Sequence, residues 1–498
     1  METILSNTMR RRFYLLYALH SSTGWSTIED LMVATNASRK TVIADLHYLE
    51  DHWSEYITMD YQKKLGYRLV QSKDHSIHDI YRYILKDSSA FKLLEAIFFQ
   101  PNRTAEYWKK TFHLSSASLY RLAQKIQKVL NLRGMDLNKT PYRIEGKNER
   151  QIQIFFKRFF WEAYGIHEWP FKLDQKAVYN FVEQMNQDFH WEHGDVDRVD
   201  LAYAIAVTIV RSEQNYLMVK VPRMTARHRK LIALMEKYKP DMEKIIAPLG
   251  YQLPEKWKED FIITVFWWEF AWDNFEESLR LRKIGYDFVD QVITSFDFTI
   301  DNESRERINA AFIKTYMRHK IYPYPRYIFY NRSWYSSHIL TQDHLFFGKV
   351  MEKILKDLEA KTDCPWYSMY FDHMITVVAF YWKDFFLQFD NLRKVVEVAV
   401  FSDLGRYHAE SLANYLKAVF GKKIETKVQP DSFYYLKDPQ TIEVDIFVAN
   451  FTLKKIPNEK LFVVEDIPSY KNLVDLQQGI DKLRVPRLKE TTFFSPSI

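Results

Sequence analysis

Residues 31–49 read Leu-Met-Val-Ala-Thr-Asn-Ala-Ser-Arg-Lys-Thr-Val-Ile-Ala-Asp-Leu-His-Tyr-Leu, and the pattern is written twice. At an offset of 77, Ser38 falls on Ser115, Thr41 on Ser118, Val42 on Leu119, Leu46 on Ala123 and Leu49 on Ile126. Beyond each copy lie two short strand-like runs, closing in Gly66-Tyr67-Arg68-Leu69 and Pro141-Tyr142-Arg143-Ile144. Two copies of helix, turn, helix and hairpin predict a pair of winged helix-turn-helix units, an arrangement suited to reading duplex DNA.

Outward from the first copy, Phe13, Leu16, Tyr17 and His20 share one face of a supporting helix. Ser26 is the expected N-cap of the next helix, with Glu29 three residues on as in a capping box. That helix ends at Thr35-Asn36. Ser38 then caps a helix whose Val42, Leu46 and Leu49 face inward. Arg39, Lys40, Thr41 and Ala44 lie outward near its start, with His47 and Tyr48 a turn later. A recognition helix enters the major groove N-terminus first, so these are the candidates for base and phosphate contact. Residues 56–61 and 66–70 alternate as a hairpin with Lys63-Lys64 at its tip, placed as a wing would be.

In the second copy Phe91–Phe99 is the support, Thr104–Phe112 the first helix of the motif, and Ser115-Ser116 the cap of a helix reaching about Leu130. Its outward face carries Ser118, Arg121, Lys125 and Lys128, with Tyr120 nearby, and its hairpin brings Arg133, Lys139 and Arg143. Phosphate contact and a plain solvated face both fit Lys125 and Lys128.

Charge follows the repeat. The chain of 498 residues has a net charge of +6, yet residues 1–150 hold 23 Lys and Arg against 16 Asp and Glu, while the remainder holds 47 against 48. Within the repeat, residues 1–70 are balanced and 71–150 carry 15 against 8. A local basic surplus is the electrostatic footprint of a phosphate-binding surface. Its modest size favours a dimer or several modules acting together. A single cysteine, Cys364, excludes an internal disulfide and fits a reducing compartment. The most apolar runs, Leu201–Val210 and Phe261–Trp272, are too short or too interrupted to span a bilayer, and no secretory leader is expected. The expectation is a soluble, cytoplasmic protein without a membrane partner.

From about 170 to 390, aromatic-rich helical patterns take over, among them Asp197–Arg211, Lys256–Leu281, Glu303–Lys320, Asp343–Leu358 and His373–Gln388. They predict two helical bundles dividing near Asp290–Asn302. The stretch has no Gly-rich phosphate loop, no metal-spaced His/Cys cluster and no triad, so no cofactor and no metal are expected, and an enzyme ranks last. Nine of the fifteen histidines lie beyond residue 150. After Leu392 strands alternate with helices: Val395–Phe401, a helix over His408–Phe420, then Lys423–Val428, Val444–Ala449 and Lys460–Val464. These predict a small α/β domain with a largely parallel sheet. The turn after its first strand, Ser402–Tyr407, contains no cysteine, and Ser402 has no base evident beside it.

This order of parts, with the Ser38–Leu49 and Ser115–Ile126 motifs, resembles the Mga/AtxA type of transcriptional regulator from Gram-positive bacteria. The resemblance implies a multidomain, mainly α chain. Its expected parts are winged helix-turn-helix units at 1–72 and 73–168, phosphotransferase-system regulation domains (PRD-like bundles) at 169–292 and 293–390, and an EIIB-like α/β domain at 391–498. It further implies control of transcription through double-stranded DNA, homodimerisation through the C-terminal part, and tuning by histidine phosphorylation, with phosphotransferase-system phosphocarriers as partners. His193, His228, His338 and His373 are the candidate acceptors. Without the acceptor cysteine of a working EIIB, dimerisation is the expected job of the last domain. The competing reading is a phosphocarrier-responsive interaction protein whose helix-turn-helix units dock other proteins and never read DNA.

Overall fold

Capping side chains set where the helices of the repeat begin. In the computed structural model, which describes residues 4–22, 24–191, 193–216, 225–252, 254–429, 442–453 and 456–484, α1 (Asn7–Ser21), α2 (Ile28–Thr35) and α3 (Arg39–His52) precede an antiparallel hairpin, β1 (Ile57–Gln62) and β2 (Gly66–Gln71). Ser38 caps α3 as expected, its Oγ accepting from the Thr41 amide. The cap of α2 differs from expectation by one residue. Thr27 and Asp30 form the capping box, and Ser26 is instead tied as a strand to Tyr67 by two main-chain bonds of 2.8 and 2.9 Å. A residue committed to the wing in β conformation cannot also cap the helix, so the next hydroxyl takes the role.

A linking helix, α4 (Ile77–Asp87), leads into the second copy: α5 (Ser89–Phe99), α6 (Ala105–Phe112), α7 (Ser116–Asn131), β3 (Met135–Lys139) and β4 (Tyr142–Gly146). The repeat extends to the backbone. Asn36 and His113, 77 apart, each end the first motif helix in the left-handed conformation, with φ of 48° and 51°. Ser26 bridges Tyr67, and Arg103 bridges Tyr142, in the same way.

Next come α8 (Glu149–Tyr164), α9 (Gln175–Asp188), α10 (Asp195–Glu213), α11 (Ala226–Ile246) and α12 (Trp257–Val265), with α10 packed between α8, α9 and α12. Another five follow: α13 (Phe275–Phe296), α14 (Asn302–Ile321), α15 (Arg332–Asp343), α16 (Leu345–Lys361) and α17 (Phe371–Tyr381). Here α13 packs on α14 and α16, and α17 on α14, α15 and α16. Packing therefore changes partners near Phe266–Asn274, earlier than the 290–302 stretch read from the sequence. The run Lys256–Leu281 is two helices, because a 3-10 turn at Trp267–Phe270 intervenes and Asn274 caps a fresh start by accepting from the Glu277 amide at 2.8 Å. A single buried apolar cluster runs from Ile4 through both winged units and the first bundle to Phe329. Phe91 stacks on Phe159 at 4.3 Å, and Phe98 meets Phe156 at 4.5 Å. All of this lies in one compact unit, Met1–Tyr381.

The second unit, Trp382–Ile498, starts ahead of the expected boundary at 391. It holds α18 (Phe385–Asn391), β5 (Val396–Phe401), α19 (Arg406–Phe420), β6 (Ile424–Val428), β7 (Ile446–Ala449), β8 (Leu461–Val463) and α20 (Tyr470–Leu483). The His373–Gln388 pattern is thus two helices, α17 and α18. The sheet has the order β6-β5-β7-β8 and every neighbouring pair is parallel. Val396, Val398 and Val400 pack beneath Leu412, Leu416 and Ile480 on one face, and Ala399, Phe401 and Phe447 line the other. Residues 430–441, 454–455 and 485–498 of the expected C-terminal domain lie outside the described residues. Ser402, expected to have no base beside it, has one: its Oγ is 2.7 Å from His408 Nδ1, one turn into α19. Among the described residues no helix is long and apolar enough to cross a membrane.

Candidate nucleic-acid interface

The orientation of α3 is set from its inner side. Val42, Leu46 and Leu49 are buried, and Asp45 between them is only 3% exposed. Asp45 receives Arg11 and Arg12 from α1, the Arg12 Nε at 2.9 Å. Sequence reading missed this clamp, although position 45 follows the 42-46-49 stripe at helical spacing. Arg12 also lies over the Tyr48 ring, 3.2 Å from its centre, and Tyr48 stacks on His52 at 4.0 Å. Tyr48 is therefore held by packing and is half-buried.

With that face fixed, Arg39, Lys40, Ala44 and His47 are exposed along the outer side of α3. Arg39 makes one long contact, 3.5 Å to Glu29, between two largely exposed side chains, so its guanidinium is available to a ligand. Thr41 is half-buried and its hydroxyl lies 2.9 Å from Ser38 Oγ within the cap. Lys63 and Lys64 are exposed at the β1–β2 tip.

The second winged helix-turn-helix divides its cations differently. Arg121 and Lys128 are exposed on α7. Ser118 is engaged by the Ser115 hydroxyl at 3.0 Å and by Arg121 at 3.3 Å. Lys125 is not on the free face: its ammonium donates to the Leu5 carbonyl at 3.1 Å, and burial, aided by Arg10, lowers its pKa. Arg133 is buried, donating to the Tyr327 carbonyl at 2.8 Å, and Arg143 is paired with Glu145. Lys139 stands 5.6 Å from the Tyr120 ring centre, and that ring is exposed. The basic surplus of the second winged helix-turn-helix is thus spent partly on holding the fold together.

The four histidines occupy unlike surroundings. His228 is buried within a capping box, its Nδ1 accepting from the Thr225 amide at 3.1 Å and its ring stacked on Phe270 at 4.1 Å. His338 stacks on Trp334 at 4.6 Å and contacts Gln342. His193 lines a cavity of about 450 Å³ with Asp197, Asp200 and Lys314, and its buried Nδ1 has no hydrogen-bond partner. His373 lines a second cavity, of about 240 Å³, where its Nε2 meets the Thr315 hydroxyl at 3.0 Å and the Arg326 guanidinium. Burial first, and then Arg326, Arg318 and Arg158, push His373 well below the ordinary imidazole range. Glu192, beside His193 in sequence, lies outside the described residues.

Among the described residues no group of three or more His, Cys, Asp or Glu side chains is arranged to hold a metal ion.

Residues 73–160 match the Mga helix-turn-helix domain. Over 98% of its length the chain is 23% identical to a protein named a putative trans-acting regulator from Streptococcus pneumoniae, all of which is covered. It is 21% identical over 96% of its length to the capsule synthesis positive regulator AcpB of Bacillus anthracis, 99% of which is covered. The capsule synthesis positive regulator AcpA of the same organism is 22% identical across 43% of the chain and 44% of its own length.

Proposed function

We propose that this chain, which is of the Mga/AtxA type, is a transcriptional regulator that binds duplex DNA with α3 and α7 as its two reading helices. One observation carries the reading: the helix-turn-helix repeats down to its left-handed turn residues, Asn36 and His113, and each copy leads into a helix with exposed cations on its outer face. In this proposal Arg39, Lys40, Ala44 and His47 of α3 meet the major groove, and Lys63 and Lys64 contact the flanking backbone. Arg121 and Lys128 of α7, with Ser118 beside them, supply further phosphate contacts. The names of the relatives favour activation of transcription over repression.

Binding is expected to weaken steeply with salt, log K falling by about 0.9 per log unit of salt for each phosphate neutralised. Arg39→Ala with Lys40→Ala is expected to lower affinity at least tenfold and flatten the salt slope, while the thermal midpoint stays where it was. Gel-shift titration at two salt concentrations checks this. Unchanged affinity would remove α3 from the interface, and no shift of any duplex at low salt would favour the protein-docking reading.

Tuning by histidine phosphorylation rests on His193 and His373, which face cavities, rather than on His228, whose ring is enclosed by its own helix start. Phosphocarrier proteins of the phosphotransferase system are the donors this reading calls for. Homodimerisation is assigned to the second unit. Leu404, Tyr407, Ile467 and Tyr470, all at least 60% exposed, lie in the loops and helix starts that follow β5 and β8.

A further inference from the structure

Between the two helical bundles the protein gathers more positive charge than the nearby carboxylates, Asp200, Asp197 and Glu162, offset. A cavity of about 110 Å³ is lined by Arg150, Lys157 and Arg158 from α8, Arg318 from α14, and Arg326 from the segment after α14. No Asp or Glu lines it. Lys157 is paired with Asp200 at 2.7 Å, and Arg150 donates to the Trp267 carbonyl at 3.0 Å. Arg318 sits 5.5 Å from the centre of the Trp267 ring, and Arg326 donates to His373 Nε2. Among the described residues Arg158, Arg318 and Arg326 are in no direct ion pair; the nearest ones here are Lys157–Asp200 and Lys314–Asp197, whose carboxylates act on Arg318 without contacting it. Glu162 lines the adjoining 240 Å³ cavity, but its oxygens accept from the Ile328 and Phe329 amides at 2.8 and 2.7 Å. The two cavities share Arg158 and Arg326 as walls.

Packing like charges together in partly dry surroundings is unfavourable unless an anion compensates them. The strain is visible in the groups themselves. Burial lowers Arg318, with Arg158 adding to it and Asp200 and Asp197 opposing it, and burial, then Arg318 and Arg158, lowers Arg326 well below the usual guanidinium range. Lys157 is pushed down to about 8 despite its partner Asp200.

We propose that this cavity binds a small free phosphomonoester, its phosphoryl group held by Arg158, Arg318 and Arg326 and its body extending into the adjoining cavity. A dianion with three terminal oxygens matches several planar guanidinium forks better than a single carboxylate does. The walls fit an ester rather than a bare ion: Trp267, Tyr322 and Tyr370 supply aromatic surface beside the cations. Because α8 belongs to the first bundle and α14 to the second, the bound phosphoryl group ties one bundle to the other. The site stands independently of DNA binding.

The same phosphoryl chemistry could be supplied by a phosphate carried on His373, and the test separates the two sources. Thermal unfolding of the full chain is followed in inorganic phosphate and in glycerol 3-phosphate, against sodium chloride at equal ionic strength. A saturable rise in midpoint is expected with both, tighter for the ester. In the Arg318→Gln, Arg326→Gln double variant the apparent affinity is expected to fall at least tenfold. The ligand-free double variant is expected to melt higher than the parent, since its mutual repulsion is relieved, whereas loss of merely structural cations would lower the midpoint and overturn the proposal. His373→Gln is expected to keep binding the free ester. Stabilisation that requires prior phosphorylation of the chain and disappears in His373→Gln assigns the phosphoryl group to the histidine and overturns the free-ligand site. Equilibrium dialysis of the parent chain with radiolabelled phosphate serves if the double variant does not fold, and absence of binding there overturns the proposal outright.

Discussion

Asp45 shows how a single residue converts an amphipathic helix into an aimed one. Its carboxylate sits among apolar neighbours and is neutralised by two arginines from α1, which are themselves only partly exposed. Removing one side of such a pair leaves charge without compensation, which costs about 3 kcal/mol in partly buried settings. Asp45→Ala is therefore expected to lose about 3 kcal/mol in urea unfolding and to weaken DNA binding although Asp45 faces away from the groove. Retention of both properties would show that apolar packing alone orients α3. Ser402 carries a similar lesson. It stands six positions before His408 in the chain, yet the start of α19 folds the imidazole back to 2.7 Å. The pair was hidden in the sequence because the spacing of a serine and a histidine means nothing until a turn of known shape lies between them.

At the scale of elements, the wing is fastened to the helix-turn-helix by main-chain bonds between Ser26 and Tyr67, and Gly66 makes this close approach possible. Its φ is +95°, and a Cβ there would lie 2.1 Å from the Ser26 carbonyl oxygen. Gly66→Ala is expected to cost at least about 2 kcal/mol, from the backbone conformation and the clash together, and to detach the hairpin. Gly24→Ala, where a Cβ would meet nothing within 4 Å, is the matched control and is expected to change stability by less than about 0.5 kcal/mol. Equal effects of the two would contradict the role given to the Ser26–Tyr67 bridge. The elements of the repeat were legible because Ser38 and Ser115 cap their helices and the apolar stripe follows at fixed spacing. The start of α13 was not read. Its signal was Asp273-Asn274 followed by Glu276-Glu277, an N-terminus signature, overridden by the aromatic run on either side of it. The outward face of α7 was legible only in part, because nothing local tells that Lys125 reaches a carbonyl 120 residues away.

For the molecule as a whole, burial of neutral histidines ties stability to pH. Burial lowers His20 to about 4, and burial followed by Arg332 lowers His78 to about 4, against 6.5 for an exposed imidazole. Above 6.5 both are neutral whether the chain is folded or not, so their environment carries no proton penalty. As pH falls from 6.5 toward 4 the unfolded chain takes up protons that the folded chain refuses, and stability drops; below about 4 their contribution levels off. Urea midpoints measured at pH 7, 5.5 and 4.5 are expected to fall in that order, and less steeply in a His20→Gln, His78→Gln variant. A slope identical to that of the parent would mean that the acid loss comes from other groups. The sequence read as a succession of separate modules, and its charge and turns supported that reading. What it did not reveal is that residues from Ile4 to Phe266, joined by Ile328 and Phe329, share one interior, since apolar faces show which side of a helix is buried but not against what.

If α3 and α7 read DNA as proposed, that shared interior makes the two helices a ruler. Two modules on a loose tether would adjust to operators of varied spacing, whereas α3 and α7, seated on one continuous core, keep a set separation and angle. In the proposed mode of binding, a few base pairs inserted between the segments they contact would leave one helix facing the wrong groove. The interval between contacted segments, more than their individual sequences, then becomes a property inherited from the protein's interior.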